Sequence, residues 1–461
     1  MRRLLFVVIV LSSACKPLDL EPVAPYAYAV YDPGSGRIPT PNQALVDEDA
    51  GLLNLSTDGA SLTSAEVAMR EWLNTLDGWS TVSAAKLEFS EPIDPATATT
   101  STLQVWEWGA TPAPAAGTTI EVSEDGLTVQ VLPPHDGWAR GGTYMVVARG
   151  GEDGLRTAEG GPIGPDAAFW YLRLDQTLDD HPRAFSGDTP ADRQATAERM
   201  EELRLSIQPY LEHVTAGGVL REDVIALWEF RTTTRVELAM DRESQRVPLP
   251  FDLLIDPATG LVDLTPSDDD TALEADAKLV ANQLSGFGLT ANPFFELTGP
   301  VDPTTVGPDT VRLYDVAQTG EAVVAEVVLM APSGAEVCAT EPIDDDCRYL
   351  FVVLDRDIIP LDRAHTYAVV VTEGLLDLEG RPVVPMSMGA MLQLPMPLWA
   401  AGASTIGSVE EDSASRLEGV RASQGGLLDA LGRDTVAAAW PFTTMDPVPD
   451  LRATIALGEL S

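Results

Sequence analysis

The residues able to do chemistry are few in this 461-residue chain. Cys338 and Cys347 lie nine positions apart, flanking the acidic turn Glu341-Pro342-Ile343-Asp344-Asp345-Asp346. Such a pair can close a disulfide or supply half of a metal site; with no His or third Cys nearby, the disulfide is the expectation. Acidic runs at Asp47-Glu48-Asp49, Asp268-Asp269-Asp270 and Asp344-Asp345-Asp346 offer the hard oxygens that Ca²⁺ takes, without the spacing of an EF-hand loop. Asp47, Asp49, Asp344, Asp345 and Asp346 are therefore the Ca²⁺ candidates, solvated acidic loops being the competing reading. No other cofactor is expected. Trp106 and Trp108 stand two apart on an expected strand, hence on one face. They are either core residues or an exposed pair that stacks on a sugar or a partner.

Catalytic inventory is thin. Nucleophilic catalysis needs a base, usually His. The four histidines, His135, His181, His213 and His365, are unpaired in sequence and read as surface or turn residues. Asp94 and Asp302 could do acid–base work in principle, but each precedes a proline, where an Asp caps local N–H groups. No catalytic residue is expected, and the chain reads as a non-enzyme.

The elements that would position these residues come in two series. Arg37-Ile38-Pro39-Thr40-Pro41 reappears as Arg246-Val247-Pro248-Leu249-Pro250, and Asn74-Thr75-Leu76-Asp77-Gly78-Trp79 as Asn282-Gln283-Leu284-Ser285-Gly286-Phe287. Phe89 to Thr97 reappears as Leu297 to Thr305, all at spacings of 208 or 209. Thr143-Tyr144 matches Thr366-Tyr367, Leu203-Arg204-Leu205-Ser206 matches Val420-Arg421-Ala422-Ser423, and Trp228-Glu229-Phe230 matches Trp440-Pro441-Phe442. The order of every block is kept, so the chain reads as one unit written twice, with the cysteine loop inserted in the second copy. Each copy predicts a helix (63–75; 271–283), a run of alternating strands, an amphipathic helix (190–212; 408–431) and a closing strand. Val67, Met69, Trp72, Leu73 and Leu76 form the stripe of the first helix; Met200, Leu203 and Ile207, and then Leu417, Val420 and Leu427, mark the long ones. An Asp125-Gly126 turn between alternating runs predicts a hairpin.

The fold class expected is mainly β: two tandem Ig-like antiparallel β-sandwich units, each with accessory helices. Tyr144 and Tyr367, each opening a late strand, fit the tyrosine corner of such domains. Trp228 and Trp440 read as core anchors. Organisation is expected as a signal peptide (1–14), a lipidated Cys15 with a proline-rich tether (15–36), a first unit (37–236), a second unit (246–446) and a tail (447–461).

Charge and the N-terminus bound the setting. Lys and Arg number 29 against 71 Asp and Glu, a net charge of −42. That excludes a general electrostatic grip on nucleic acid and disfavours docking on anionic headgroups. Met1-Arg2-Arg3, the apolar run Leu4 to Leu11 and the small residues Ser12-Ser13-Ala14 form a secretory signal, too short to span a bilayer. Cys15 directly after them resembles a bacterial lipobox, which implies acylation and an N-terminal lipid anchor in the membrane. Lys16 in place of Asp points to the outer membrane.

Phe89-Ser90-Glu91-Pro92-Ile93-Asp94, the Asp125-Gly126 hairpin, Thr143 to Val147 and the Asp153-Gly154 turn together resemble bacterial Ig-like domains of surface-layer type. The wider unit resembles the N-terminal region of bacterial virulence-factor lipases, on Leu76-Asp77-Gly78-Trp79-Ser80, the helix-borne Arg204 and the closing Phe442-Thr443-Thr444. In those enzymes a hydrolase domain with a Gly-x-Ser-x-Gly elbow follows. Here that motif is absent; the nearest string, Arg421-Ala422-Ser423-Gln424-Gly425, falls on a predicted helix. The resemblance thus implies accessory architecture. The function expected is a cell-envelope lipoprotein that binds, adheres or supports, its partner an unidentified envelope protein or glycan. The alternative is an accessory or degenerate module of a lipase or esterase system.

Overall fold

Alternation builds the first sheet. In Ala85–Glu88 the residues Ala85 and Leu87 point inward while Lys86 and Glu88 point out. This strand pairs antiparallel with Thr128–Leu132, which pairs with Thr119–Val122. The hairpin between the last two turns at Gly126, whose φ of +72° is open to glycine at little cost. A second sheet runs in the order Ala113–Pro114, Leu103–Glu107, Thr143–Arg149, Val224–Arg231. Its central strand Thr143–Arg149 is buried on both faces. Tyr144, Val146 and Ala148 meet Leu87, Val129 and Val131 of the first sheet. Met145 and Val147 meet helices, as their apolar character on both faces requires. The computed structural model describes residues 27–448 apart from 60, 268–269, 319–321, 324, 335–337 and 339–341.

The helices make a third layer. In the first half they are α1 (Ser64–Leu73), α2 (Ala167–Leu172) and α3 (Pro190–Ala216). In the second they are α4 (Ala272–Ala281), α5 (Ser387–Leu392) and α6 (Glu411–Leu431). α2 and α3 cover the outer face of the four-stranded sheet through Phe169, Ile207, Leu211 and Val214. About a quarter of the chain is helical and slightly more is strand.

The second half has the same strand order. One sheet runs Ala322–Val323, Val311–Asp315, Thr366–Thr372, Val436–Thr443; the other runs Phe294–Glu296, Tyr349–Leu354, Ala325–Met330. Isolated bridges also correspond: Asp32 to Arg37 and Asp241 to Arg246, Ile93 to Thr157 and Val301 to Asp377, Trp79 to Thr232 and Phe287 to Thr444. The Tyr144 hydroxyl accepts from the Ala139 N–H at 2.8 Å, and that of Tyr367 from the Asp362 N–H at 3.2 Å. Trp228 and Trp440 are buried in the two cores. The strands joined by the Asp125-Gly126 turn in the first half are joined in the second by residues 331–348, which hold the Cys338–Cys347 disulfide.

The tether expectation fails over 27–36. Ala27–Ala29 is a buried strand paired parallel with Ile163–Pro165. Its counterpart Glu237–Leu238 pairs parallel with Val384–Pro385, so the second half begins at about 236 and not at 246 as expected. The surrounding prolines hide these strands in the sequence, yet Ala27, Ala29, Tyr31, Val236, Leu238 and Met240 are nearly inaccessible. Residues 1–26, with the signal and Cys15, and residues 449–461 of the tail lie outside the described residues.

The halves are joined by apolar and polar contacts. Ala65 and Met69 of α1 are buried in the second half's core, with Ala390 of α5, Leu398 and Ile406. Of the α1 stripe, Met69 lies in the second half's core, Trp72 and Leu73 pack against both cores, and Leu76, beyond the helix, lies in the first. Glu237, fully buried, accepts from the N–H and hydroxyl of Thr81 at 2.8 and 2.6 Å. Arg246 donates to the Asp136 carbonyl at 2.7 Å while paired with Glu296. Arg381 donates to the hydroxyl and carbonyl of Thr234.

Candidate binding surfaces

The Leu-Asp-Gly-aromatic element and the Thr-rich closing strand meet. The Trp79 N–H donates to the Arg231 carbonyl and the Thr233 N–H to the Trp79 carbonyl; Phe287 repeats this with Thr443 and Met445. A Cβ on Gly78 would stand 2.6 Å from the Thr232 carbonyl, and one on Gly286 2.6 Å from that of Thr443, so only glycine allows the approach. Asp77 accepts from the Thr233 hydroxyl, the Thr234 N–H and the Thr234 hydroxyl. Burial pushes the Asp77 carboxyl up, but these hydrogen bonds outweigh it and hold it below the usual range. In the second half Asp252 reaches Thr443 instead, at 2.6 and 2.8 Å, and there burial prevails and raises the carboxyl.

Arg204 has an equally local task. It forms a bidentate pair with Glu201, 2.7 Å at both contacts, and donates to the Leu174 carbonyl; Glu201 accepts from the Leu178 N–H. Arg421 and Glu418 do the same with Leu394 and Leu398. Both pairs clamp the loop after the short helix onto the long one. Ser423 lies on α6 as expected, its Oγ donating to the Val420 carbonyl as that of Ser206 does to Leu203. It lines a cavity of about 450 Å³ with Asp252, Arg416, Gly419 and Thr443.

The other candidates are placed as follows. Asp47 accepts from the N–H groups of Asp49 and Ala50, and Asp344 from that of Asp346. Asp346 also faces Arg348 at 3.9 Å. Asp270 pairs with Lys278 at 2.8 Å; Asp268 and Asp269 lie outside the described residues. Among the described residues no three His, Cys, Asp or Glu side chains gather as a metal site. Asp94 and Asp302 cap the turns at Ala96 and Thr304. Trp106 and Trp108 lie against α3: Trp106 is 4.8 Å from the His213 ring and Trp108 4.4 Å from the Tyr210 ring. Both are half-buried and pack against the cluster that α3 helps to form.

One pairing escaped the sequence. His365 Nε2 lies 2.7 Å from Asp315 Oδ1, beside a cavity of about 520 Å³ lined by Asp315, Gln318, Pro360, Asp362 and Tyr367. Burial would raise the Asp315 carboxyl, but His365, the Ala317 N–H and Gln318 lower it on balance. The signal was the register: Asp315 ends one strand opposite Tyr367 of the next, two residues from His365. An aspartate-oriented imidazole is a general-base geometry. Close by in sequence and register, the Thr444 hydroxyl donates to the Asp362 carbonyl and the Tyr367 hydroxyl accepts from the Asp362 N–H.

No protein-family model matches the chain, and no curated protein does. Among solved structures it is similar in part to the bacterial S-layer protein SbsC. The N-terminal part of that protein and its rSbsC(31-844) form are each 31% identical over 18% of this chain, with a TM-score of 0.15. The match spans 18% and 11% of those two chains. A structure of SbsC domains 1-6 matches 69% of this chain and 56% of its own, at 10% identity and a TM-score of 0.14. No described helix is long and apolar enough to cross a membrane.

Proposed function

We propose that this chain is a non-catalytic, exported lipoprotein of the bacterial cell envelope, built from two Ig-like units that arose by internal duplication and serving a structural or binding role at the surface. One observation carries the reading: the residues that make the sequence distinctive are spent on holding the fold, and in the same way twice. The glycine contacts at Gly78 and Gly286 and the helix clamps at Arg204 and Arg421 recur in register. The tyrosine hydroxyls of both halves bond backbone five residues upstream, the geometry that marks the tyrosine corner. The partial similarity to SbsC is consistent with a surface protein, and the net charge of −42 keeps such a protein soluble outside a membrane. Cys15 after Ser12-Ser13-Ala14 supplies the anchor, and the outer membrane is the expected site. The test is metabolic labelling with palmitate in a bacterial host, with membranes then fractionated. Label on the wild type but not on Cys15→Ser, together with release of the variant from the membrane, is the expected result. An unlabelled wild type recovered as free protein would sink the anchor. Ester turnover by the purified chain that is lost in His365→Ala would sink the non-catalytic reading.

A further inference from the structure

Helix α4 has the start of α1 and none of its burial. Both begin with a capping box, Thr63 with Glu66 and Thr271 with Glu274. At the 208-residue spacing, Ala65, Met69 and Trp72 of α1 correspond to Leu273, Ala277 and Val280 of α4. The first three lie on one helical stripe and pack into the core of the second half. Among the described residues the corresponding stripe of α4 joins no core: no residue of that helix is buried, and Leu273, Val280 and Leu279 are 78%, 68% and 55% exposed. Three large apolar side chains left in water on one short helix mark a contact surface. The polar fittings of the contact correspond as well. The Thr63 hydroxyl donates to the Thr405 carbonyl, and Glu66 Oε1 accepts the Gly407 N–H at 2.9 Å; Thr271 and Glu274 stand where those two donors and acceptors stand.

What α1 packs on is also known. Its neighbour is α5, and the counterpart of α5 in the first half is α2, where Ala168 and Trp170 hold the places of Met388 and Ala390. Trp170 is half-buried and part of none of the core clusters of the described residues. Within one chain, then, the α1 stripe of the first half is covered by the second half. Among the described residues nothing covers the same stripe on the second half.

We propose that α4 of one copy docks on α2 of a second copy of this chain, so that copies join head to tail by continuing the contact that already joins the halves. Such an interface is heterologous: each copy offers one donor face and one acceptor face, and the series grows until it closes on itself or ends. Apolar contact drives it, and the net charge of −42 on each copy opposes it. Association therefore strengthens as salt screens the repulsion. The inference rests on the correspondence of the halves and not on the lipid anchor, so its failure leaves the envelope reading untouched.

The experiment is sedimentation velocity on the full chain carrying Cys15→Ser, over a concentration series at low and high NaCl. The wild-type surface gives mass that rises with concentration and with salt. Leu273→Glu with Val280→Glu, at exposed positions where the fold tolerates charge, weakens association at least tenfold. Trp170→Glu does the same, and Ala167→Glu, on the exposed first turn of α2, stands in if the tryptophan variant unfolds. A mixture of the α4 variant and the α2 variant yields dimers that grow no further, because one working face of each kind remains. A wild type that is monomeric at every concentration and salt overturns the proposal. So does association unchanged by the α4 substitutions, or lost with them but indifferent to both α2 substitutions, which would be the mark of an α4-to-α4 contact.

Discussion

Arg204 and Arg421 illustrate how a charged residue can be structural twice over. Each guanidinium meets a glutamate three residues earlier on its own helix and a carbonyl of the loop across from it. In the first pair both side chains are almost wholly removed from water. Arg204→Met therefore leaves Glu201 buried without its partner, at an expected cost of about 3–5 kcal/mol. The double variant Glu201→Leu with Arg204→Met should lose much less, since no charge is stranded. Urea denaturation of both variants decides it; equal losses would mean that the pair contributes by packing alone. The helix and its arginine could be read from the sequence, but the clamp could not. Its loop acceptor lies 30 residues upstream, at a distance no local pattern reports.

Among the elements, the same helix does different work in the two halves. Ala65 is buried beneath the second half while its counterpart Leu273 is exposed. A charge at Ala65 would be forced out of water, whereas one at Leu273 would not. Ala65→Glu is expected to lower the melting temperature by several degrees, and Leu273→Glu to leave that of the monomer within about a degree, as exposed sites away from packing usually do. Differential scanning fluorimetry at low protein concentration separates them. Much at this scale was legible. Strand alternation at Ala85–Glu88, the Asp-Gly hairpin and all four longer helices fall where their periodicity puts them. What escaped were elements without periodicity. Ala27–Ala29 and Glu237–Leu238 are too short to alternate, and prolines surround the first. The direction in which the α1 stripe faces was equally hidden, because a stripe announces that it is buried and not by what. For the same reason Trp106 and Trp108 could be placed on one face but not assigned to the core until α3 was seen across it.

For the whole molecule, the seam between the halves holds a carboxyl with no water around it. Burial pushes Glu237 above the usual carboxylate range, against hydrogen bonds from Thr81 and the nearby Arg246, itself paired with Glu296. With its folded value above the unfolded value of about 4.3, the native state holds this proton longer than the unfolded chain does. Stability from this group is thus full below pH of about 4 and declines as pH rises through the folded value. Glu237→Gln, which keeps an acceptor for Thr81 and cannot ionise, should raise the melting temperature at neutral pH, and this gain should vanish near pH 4. A gain that persists unchanged at pH 4, or a loss at neutral pH, would show that the ionised carboxylate is what the seam requires.

The placement of α1 bears on inheritance as much as on strength. The stretch of sequence and the body that holds itself together do not share boundaries: Ala65 and Met69, encoded early in the first half, complete the interior of the second. A gene cut cleanly between the repeats would yield two fragments, one missing part of its interior and the other bearing a greasy helix with nowhere to go. Recombination that swaps single repeats between genes is thereby penalised. The two halves are therefore inherited to advantage only as a pair.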